Sequence, residues 1–455
     1  MAEVVVGIDF GSTGSGFAYA FIDNQEIIFH KNTFGAIINN KIPTEIILDN
    51  NNQTISFGAE CIEYIRNRGL IEGKNYYFKD IKRNLYEKKT KIQAFNSAKI
   101  FPLTLIIQRI LEKLKDLAIK EIILINPIIQ VKIKYVVAIP SCWESFQKSI
   151  MMEASINAGL IKEEDDKSLF FALESEAELY YCLGNINIDQ NLMKEDSDYI
   201  ICDLGSTNFI ATHFVGDNEN MNESCLPIGG SNEINKIFNE EIILKIFGCK
   251  DFNSYCEIYK KFNMEGFKEE EEYIYSEWNK LERQVNDFKE QANLTRVENY
   301  EYFPINCNLF KDIFNNDTDL NTLVEKYNKD CDYDLKLQIK SKKKWIIDFP
   351  FRIIYNYIKI QVNSLCKTIN DILKKGITPM MILVGGYSVN DILISEIKKQ
   401  LSNKISYFLQ PSTPDLSIMV DAVLFGLHPN KIMQKKAYNN CILKYQMGQT
   451  KINAI

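Results

Sequence analysis

The pattern that most constrains this chain is a turn that occurs twice. Val4–Phe21 is an apolar run ending in Asp9, a small-residue turn Gly11-Ser12-Thr13-Gly14-Ser15-Gly16, and a second apolar run. Tyr199–Phe214 repeats the design: an apolar run to Asp203, then Gly205-Ser206-Thr207, then another apolar run. Both read as β-hairpins, because short apolar runs are bounded by Gly and hydroxyl residues. The shared core is Asp-(Phe/Leu)-Gly-Ser-Thr, and the two aspartates lie 203 − 9 = 194 positions apart. One such turn is weak evidence, since Gly and Ser/Thr are common at hairpins. Its repetition predicts two similar lobes, each presenting one turn, that face each other across a cleft.

The rest of the chain fills in around these hairpins. A third strand is expected at Gln25–His30, and Lys41–Phe57 reads as a hairpin turning at Asn50-Asn51-Asn52. Pro102 opens a helix to about Lys120 with a stripe of Ile106, Ile107, Ile110, Leu111 and Leu114. Val131–Pro140 is a strand, Trp143–Ala158 a helix closed by Gly159, and Leu169–Leu173 a buried strand leading to Glu174 and a helix from Ser175. The polar, acidic stretch 185–198 marks the lobe boundary. Lobe I is therefore expected over 1–197, with a side subdomain at about 39–114. Lobe II is expected over 198–430, with a side subdomain at about 233–350 and a short tail at 431–455. In lobe II, Ser231 is expected to cap a helix, Pro350–Lys375 to form a long amphipathic helix, and Met380–Val384 to be a strand entering Gly385-Gly386.

Bulk properties narrow the function classes. A net charge of −7 over 455 residues provides no global field to attract nucleic acid or an anionic membrane. Eleven cysteines without a Cys-x-x-Cys pair, and three histidines, do not suggest a disulfide framework or a zinc site. Met1-Ala2-Glu3 runs straight into a strand without a basic leader, so a cytoplasmic protein with reduced thiols is expected.

The chemistry lies at the turns. A tight turn of Gly and Ser/Thr points several backbone N–H groups at one place, which is a nest for phosphate. Two opposed nests can clamp a polyphosphate, and a carboxylate beside each can hold the water shell of Mg²⁺. Hydrolysis would further need a buried carboxylate and a lysine. Glu174, after its apolar strand, is the carboxylate candidate, and Lys82, in the basic-aromatic segment Tyr76–Lys89, the lysine candidate. Taken alone, Glu174 also reads as an acid at a helix N-terminus and Lys82 as a solvated lysine. Gly385-Gly386 fits either backbone approach to a nucleotide or an ordinary strand-to-helix turn.

Together these segments resemble the nucleotide-binding domain of the 70-kDa heat-shock chaperones, in the actin-like ATPase superfamily, and within that family its divergent member-12 branch. The resemblance runs in order from the Val4 segment through Tyr135–Leu160, Phe171–Tyr181, Tyr199–Phe209, Leu226–Phe238 and Met381–Ile397 to Pro414–Leu427. It implies an α/β, two-lobed actin-like ATPase fold: duplicated ribonuclease-H-like β-sheet domains with inserted subdomains. It also implies ATP or ADP and Mg²⁺ as ligands. By position, Asp9, Lys82, Glu174 and Asp203 would be catalytic, with Asp9, Glu174 and Asp203 reaching the metal through water. Gly11, Ser12, Thr13, Gly14, Gly205, Ser206 and Thr207 would sit at the phosphates. Gly230, Gly385 and Gly386 would border the adenosine, and Lys289 would match the adenine-stacking helix.

The chain also departs from that family. Its second turn carries Ser206-Thr207-Asn208-Phe209-Ile210 where the family has more glycine and a following acid. Val389 replaces a basic adenine contact, and Asp421 stands where a glycine is usual. Nothing after Leu427 resembles the peptide-binding domain of ordinary chaperones. The expectation is an ATP-binding protein with slow Mg²⁺-dependent hydrolysis driving lobe closure. The alternatives are a non-hydrolysing nucleotide switch or scaffold and, further off, a sugar or metabolite kinase or an actin-like filament. Partners are nucleotide and unidentified protein clients or co-chaperones, without nucleic acid or membrane.

Overall fold

The computed structural model describes residues 2–24, 26–30, 32–34, 37–71, 73–125, 127, 131–161, 169–175, 198–214, 222–262, 270–313, 319–329, 331–373, 379–411, 414, 416–428 and 452–454. The chain separates into two compact units. The first comprises Met1–Cys225, Ile372–Gly386 and Asn403–Ile455; the second comprises Leu226–Asp371 and Tyr387–Ser402. Both hairpins belong to the first unit. Among the described residues no helix is long and apolar enough to cross a membrane.

The first sheet is built on β1 (Ala2–Asp9), β2 (Gly14–Phe21) and β3 (Ile27–Phe29), followed later in the chain by β4 (Val131–Ile139) and β5 (Leu169–Leu173). Its order is β5-β4-β1-β2-β3, with β1 antiparallel to β2 and parallel to β4. The second sheet contains β6 (Tyr199–Leu204), β7 (Asn208–Phe214), β8 (Asn222–Gly229), β9 (Met380–Val384) and β10 (Tyr407–Leu409). Its order is β10-β9-β6-β7-β8, with β6 antiparallel to β7 and parallel to β9. The two sheets therefore share one topology: a hairpin flanked on its first strand by two parallel strands. The repeat legible in the sequence extends to whole sheets.

Strand β1 is apolar on both faces because both are covered, as is usual where parallel strands carry helices on each side. Val4, Val6 and Ile8 face a core shared with Ile106, Ile110, Leu111 and Leu114 of helix Leu103–Ile125. Val5, on the other face, packs with Met419, Val420, Ala422 and Val423 of helix Ser417–Leu427. That second contact is backbone-close. A Cβ on Gly7 would lie 2.6 Å from the Met419 carbonyl and 2.7 Å from the Val423 nitrogen, and one on Gly426 2.4 Å from Val5 Cγ1. Asp421 is buried within the same helix.

Within the second unit, helix Glu270–Glu290 and a three-stranded sheet of Tyr302–Asn306, Ile346–Pro350 and Gln338–Ser341 enclose an aromatic core. Phe288 lies 5.3 Å from Phe238 and 5.0 Å from Phe351, ring centre to ring centre. Pro350 ends a strand, so the long amphipathic helix begins only at Arg352, two residues later than the sequence suggested. Ser231 is the first helical residue, and Gly230 rather than Ser231 is the N-cap. The Ser231 hydroxyl instead accepts from Lys289 Nζ at 3.4 Å.

Candidate functional site

The two aspartates occupy equivalent places. Asp9 pairs across its hairpin with Gly16 and Asp203 with Ile210, seven residues on in both cases. On the parallel side Asp9 faces Ala138 and Asp203 faces Val384. The glycine two residues later is required by the same contact in each turn. A Cβ on Gly11 would fall 2.0 Å from the Gly14 carbonyl, and one on Gly205 2.9 Å from the Asn208 carbonyl. Each would also lie 3.8 Å from its own aspartate carboxylate. The turns meet, since Thr13 Oγ1 donates to Ser206 Oγ at 3.1 Å. Ser12 and Thr207 are partly exposed beside them.

Lys82 and Glu174 lie 92 residues apart in sequence yet form a buried ion pair, Nζ to Oε1 at 2.7 Å, with each side chain 6% exposed. Helix Ile81–Tyr86 carries Lys82 inward, and its ammonium also stands 5.6 Å from the centre of the Trp143 ring. Glu174 follows β5 directly, and the next residue, Ser175, donates to Ser141 at 3.1 Å. The reading of Lys82 as a solvated lysine is thereby overturned, and Glu174, the first helical residue after β5, is a buried ion-pair partner as well as a helix-terminal acid. The rest of the helix expected from Ser175 lies outside the described residues. Pro140, Ser141, Glu174, Ser175, Ile201, Asp203, Ile210 and Thr212 line a cavity of about 10 Å³, room for roughly one water. Thr212 Oγ1 is buried there without a hydrogen-bond partner among the described residues.

Lys41 and Thr44 have no counterpart in the sequence reading. Lys41 Nζ lies 2.7 Å from Asp9 Oδ2. Thr44 donates from its hydroxyl to the Gly11 carbonyl at 2.8 Å and from its N–H to the Thr13 carbonyl at 2.9 Å. Both reach the first turn because Ile42 and Pro43 pair with Ser15 and Gly14 of β2. A lysine in an expected hairpin carries no local signal of this.

Asp9, Glu174, Asp203, Lys41 and Lys82 form one electrostatic cluster. Burial first, then the charge of Glu174, raises the Asp203 carboxyl well above the usual carboxylate range, against the opposing pull of Lys82 and Lys41. Burial also raises Glu174, with Lys82 opposing it and Asp9 adding to it. Carboxylates held up by desolvation and mutual repulsion suit a cation, which would relieve both. Among the described residues no three acidic, His or Cys side chains converge closely enough to ligate a metal directly. The raised Asp203 has a consequence in metal-free buffer. The folded state holds a proton that the unfolded state has lost, so stability falls as pH rises from about 4 through the elevated Asp203 range. Urea midpoints measured against pH should show this slope, and Asp203→Asn should flatten it; equal slopes would refute the assignment.

The glycines after β9 divide in role. Gly385 has φ +85°, and a Cβ there would lie 2.3 Å from Asp203 Oδ1 and 2.8 Å from the Leu204 backbone. Gly386 is exposed, with open space where its Cβ would be. Gly230 and Lys289 belong to a separate cluster within the second unit. Gln361 Nε2 donates to the Gly229 and Gly230 carbonyls at 2.8 and 3.0 Å, and the buried Lys289 lies between the Ser231 hydroxyl and the Tyr387 ring. Burial lowers the Lys289 ammonium to about 8.

No protein-family model matches the chain. Curated relatives do. The chain is 29% identical to human Heat shock 70 kDa protein 12B over 192 residues, which is 40% of this chain and 28% of that protein. It is 31% identical to mouse Heat shock 70 kDa protein 12A over 191 residues, 39% of this chain and 28% of that protein. Human Heat shock 70 kDa protein 12A matches at 30% over the same shares. The matched region thus spans little more than a quarter of the length of these relatives. Over about two fifths of its length this chain is similar to the member-12 branch of the 70-kDa heat-shock proteins, the branch its motifs resemble.

Proposed function

We propose that this chain binds ATP and ADP with Mg²⁺ in an actin-like, two-lobed ATPase fold, and that it hydrolyses ATP slowly as part of a lobe-closing cycle. The observation that carries this reading is the pair of aspartate turns in identical register, joined through Thr13 and Ser206, beside the buried Lys82–Glu174 pair. The turns supply backbone donors to phosphates, with Ser12, Thr13, Ser206 and Thr207 adding hydroxyls. Asp9, Glu174 and Asp203 would hold the water shell of a magnesium ion, which when bound neutralises charge on the phosphates. Lys82 offers positive charge to the oxygen that becomes more negative during cleavage. Glu174 and Asp203, with Thr212 beside them, line a cavity the size of one water, which they would orient. Gly385 and Gly386 are proposed as nucleoside contacts of the first unit, and Gly230 and Lys289 as nucleoside contacts of the second. Protein clients or co-chaperones are proposed on the likeness to the heat-shock relatives.

A second reading, a nucleotide switch without turnover, is favoured by one feature. The residue paired with Asp203 is Ile210, whose apolar side chain lines the same cavity where another carboxylate would strengthen the hold on a hydrated cation. Calorimetry with ATP and ADP, with and without Mg²⁺, followed by single-turnover hydrolysis, separates the two. Saturable binding with phosphate release that disappears in Lys82→Ala and Glu174→Ala is the expected result. Binding without release would move the protein to the second reading. No saturable binding of either nucleotide would refute both.

A further inference from the structure

Lys41 stands at the first turn, its ammonium 2.7 Å from Asp9 Oδ2, and its placement is built rather than incidental. Its backbone is fixed: Ile42 and Pro43 pair with β2, and the Thr44 hydroxyl and N–H tie the segment to Gly11 and Thr13. Its stem lies over Gly14, where an added Cβ would stand 3.0 Å from Lys41 Cβ and 3.5 Å from Lys41 Cδ. The absence of a side chain at Gly14 thus makes room for the lysine to cross the turn from one end to the other. At the far end the ammonium meets Asp9. In the second turn the position equivalent to Gly14 is Asn208, whose side chain would fill such a path.

The charge balance gives this crossing a purpose. Asp9, Glu174 and Asp203 are countered by Lys82 and Lys41. Lys82 is committed to Glu174 and sealed, whereas Lys41 keeps 23% of its side chain exposed. A cation at the rim of a phosphate nest, anchored by its backbone and partly exposed to solvent, can be shared between a carboxylate and an incoming anion.

We propose that Lys41 is a built-in counter-cation of the nucleotide site. It neutralises Asp9 and lends its charge to bound phosphate when no divalent cation is present, and it competes with the hydrated divalent cation for Asp9. The inference rests on the nucleotide-binding reading above and assigns within it a role to a residue that the sequence motifs do not reach. It makes opposite predictions for two ligands. Removing the charge leaves Asp9 bare, which repels a phosphate but attracts Mg²⁺.

The test compares wild type, Lys41→Met, Lys41→Arg and the surface control Lys132→Met, which removes one positive charge from an exposed pair with Glu3. ADP and ATP affinities are measured by calorimetry in EDTA and in saturating Mg²⁺, and thermal midpoints are measured with MgCl₂ alone. Lys41→Met should weaken nucleotide binding in EDTA by about tenfold or more, the scale of one charge-assisted contact. The loss should shrink to a few-fold in Mg²⁺, because the divalent cation then neutralises Asp9. With MgCl₂ alone, Lys41→Met should gain a larger thermal shift than wild type, and Lys41→Arg should behave as wild type. If Lys41→Met matches Lys132→Met in every condition while wild type binds nucleotide, this inference falls and the nucleotide reading stands. An equal loss with and without Mg²⁺ also overturns it. If wild type binds no nucleotide, both fall together. Lys41→Arg, which keeps the charge and the long stem, provides the comparison should Lys41→Met fail to fold.

Discussion

Gly385→Ala is expected to destabilise the first unit by about 3 kcal/mol or more and to abolish nucleotide binding, while its neighbour Gly386→Ala changes stability by no more than about 0.5 kcal/mol. The two glycines are adjacent, so the contrast isolates geometry from composition. At Gly385 the backbone is left-handed, φ +85°, which costs a residue with a Cβ about 1–2 kcal/mol by itself. The added atom would also fall 2.3 Å from the Asp203 carboxylate and 2.8 Å from the Leu204 backbone. Neither neighbour is the free end of a flexible chain. Asp203 ends the ladder between β6 and β9, and Leu204 is locked opposite Phe209. The clash therefore displaces the carboxylate that the proposed site uses, and stability and binding are expected to be lost together. Gly386 has open space at its Cβ and only loses backbone freedom. Urea denaturation of both variants, with nucleotide titration alongside, reads both quantities. Equal effects from the two substitutions would show that the close approach at Gly385 is not what holds Asp203.

The second large effect is at the buried ion pair. Lys82→Met is expected to cost about 3–5 kcal/mol near neutral pH, the range for leaving buried charge without its partner. Glu174→Gln should cost less, about 1–3 kcal/mol, since the amide can still accept from Lys82 and the ammonium retains the field of Asp203. The asymmetry follows from the local count of charges: three carboxylates are balanced by two ammonium groups, and losing a cation is worse than losing an anion. The penalty of Lys82→Met should fall on acidification, because Glu174 and Asp203, already raised by burial, then take up protons. Stability curves of both variants at about pH 5 and about pH 8 test this. A Glu174→Gln variant more damaged than Lys82→Met at both pH values would contradict the charge balance described here. Trp143, 5.6 Å from the Lys82 ammonium, is available as a fluorescence reporter of the same site.

How much of this could be read from the chain depends on whether the signal is local. The hairpins at Asp9 and Asp203 were legible because strand alternation and Gly-Ser-Thr turns act over a few residues, and the strands at Leu169–Leu173 and Met380–Val384 occur where the apolar runs placed them. Residue types suited to a charge pair at Lys82 and Glu174 were also legible, but their pairing was not, since burial of both depends on a fold that closes 92 residues of chain. Ser231 was misjudged as a cap because its hydroxyl is engaged by Lys289, a partner 58 residues away. The aromatic core of the second unit was not legible, because Phe288, Phe303 and Phe351 converge from separate elements and leave no local pattern.

By itself, the sequence determined that two similar aspartate turns exist, which residue types they carry, and that the second has Asn208 and Ile210 where the first has Gly14 and Gly16. Only the tertiary structure decided what stands over those turns. Lys41, 32 residues downstream of Asp9, reaches it because the following strand Ile42–Pro43 adds to β2. Gly385 presses on Asp203 because β9 runs parallel to β6. Lys82 is sealed against Glu174 because a short helix turns it inward. Turn chemistry is set by neighbours along the chain, whereas charge pairing and backbone approach are set by neighbours in space, and those exist only once the sheets have formed.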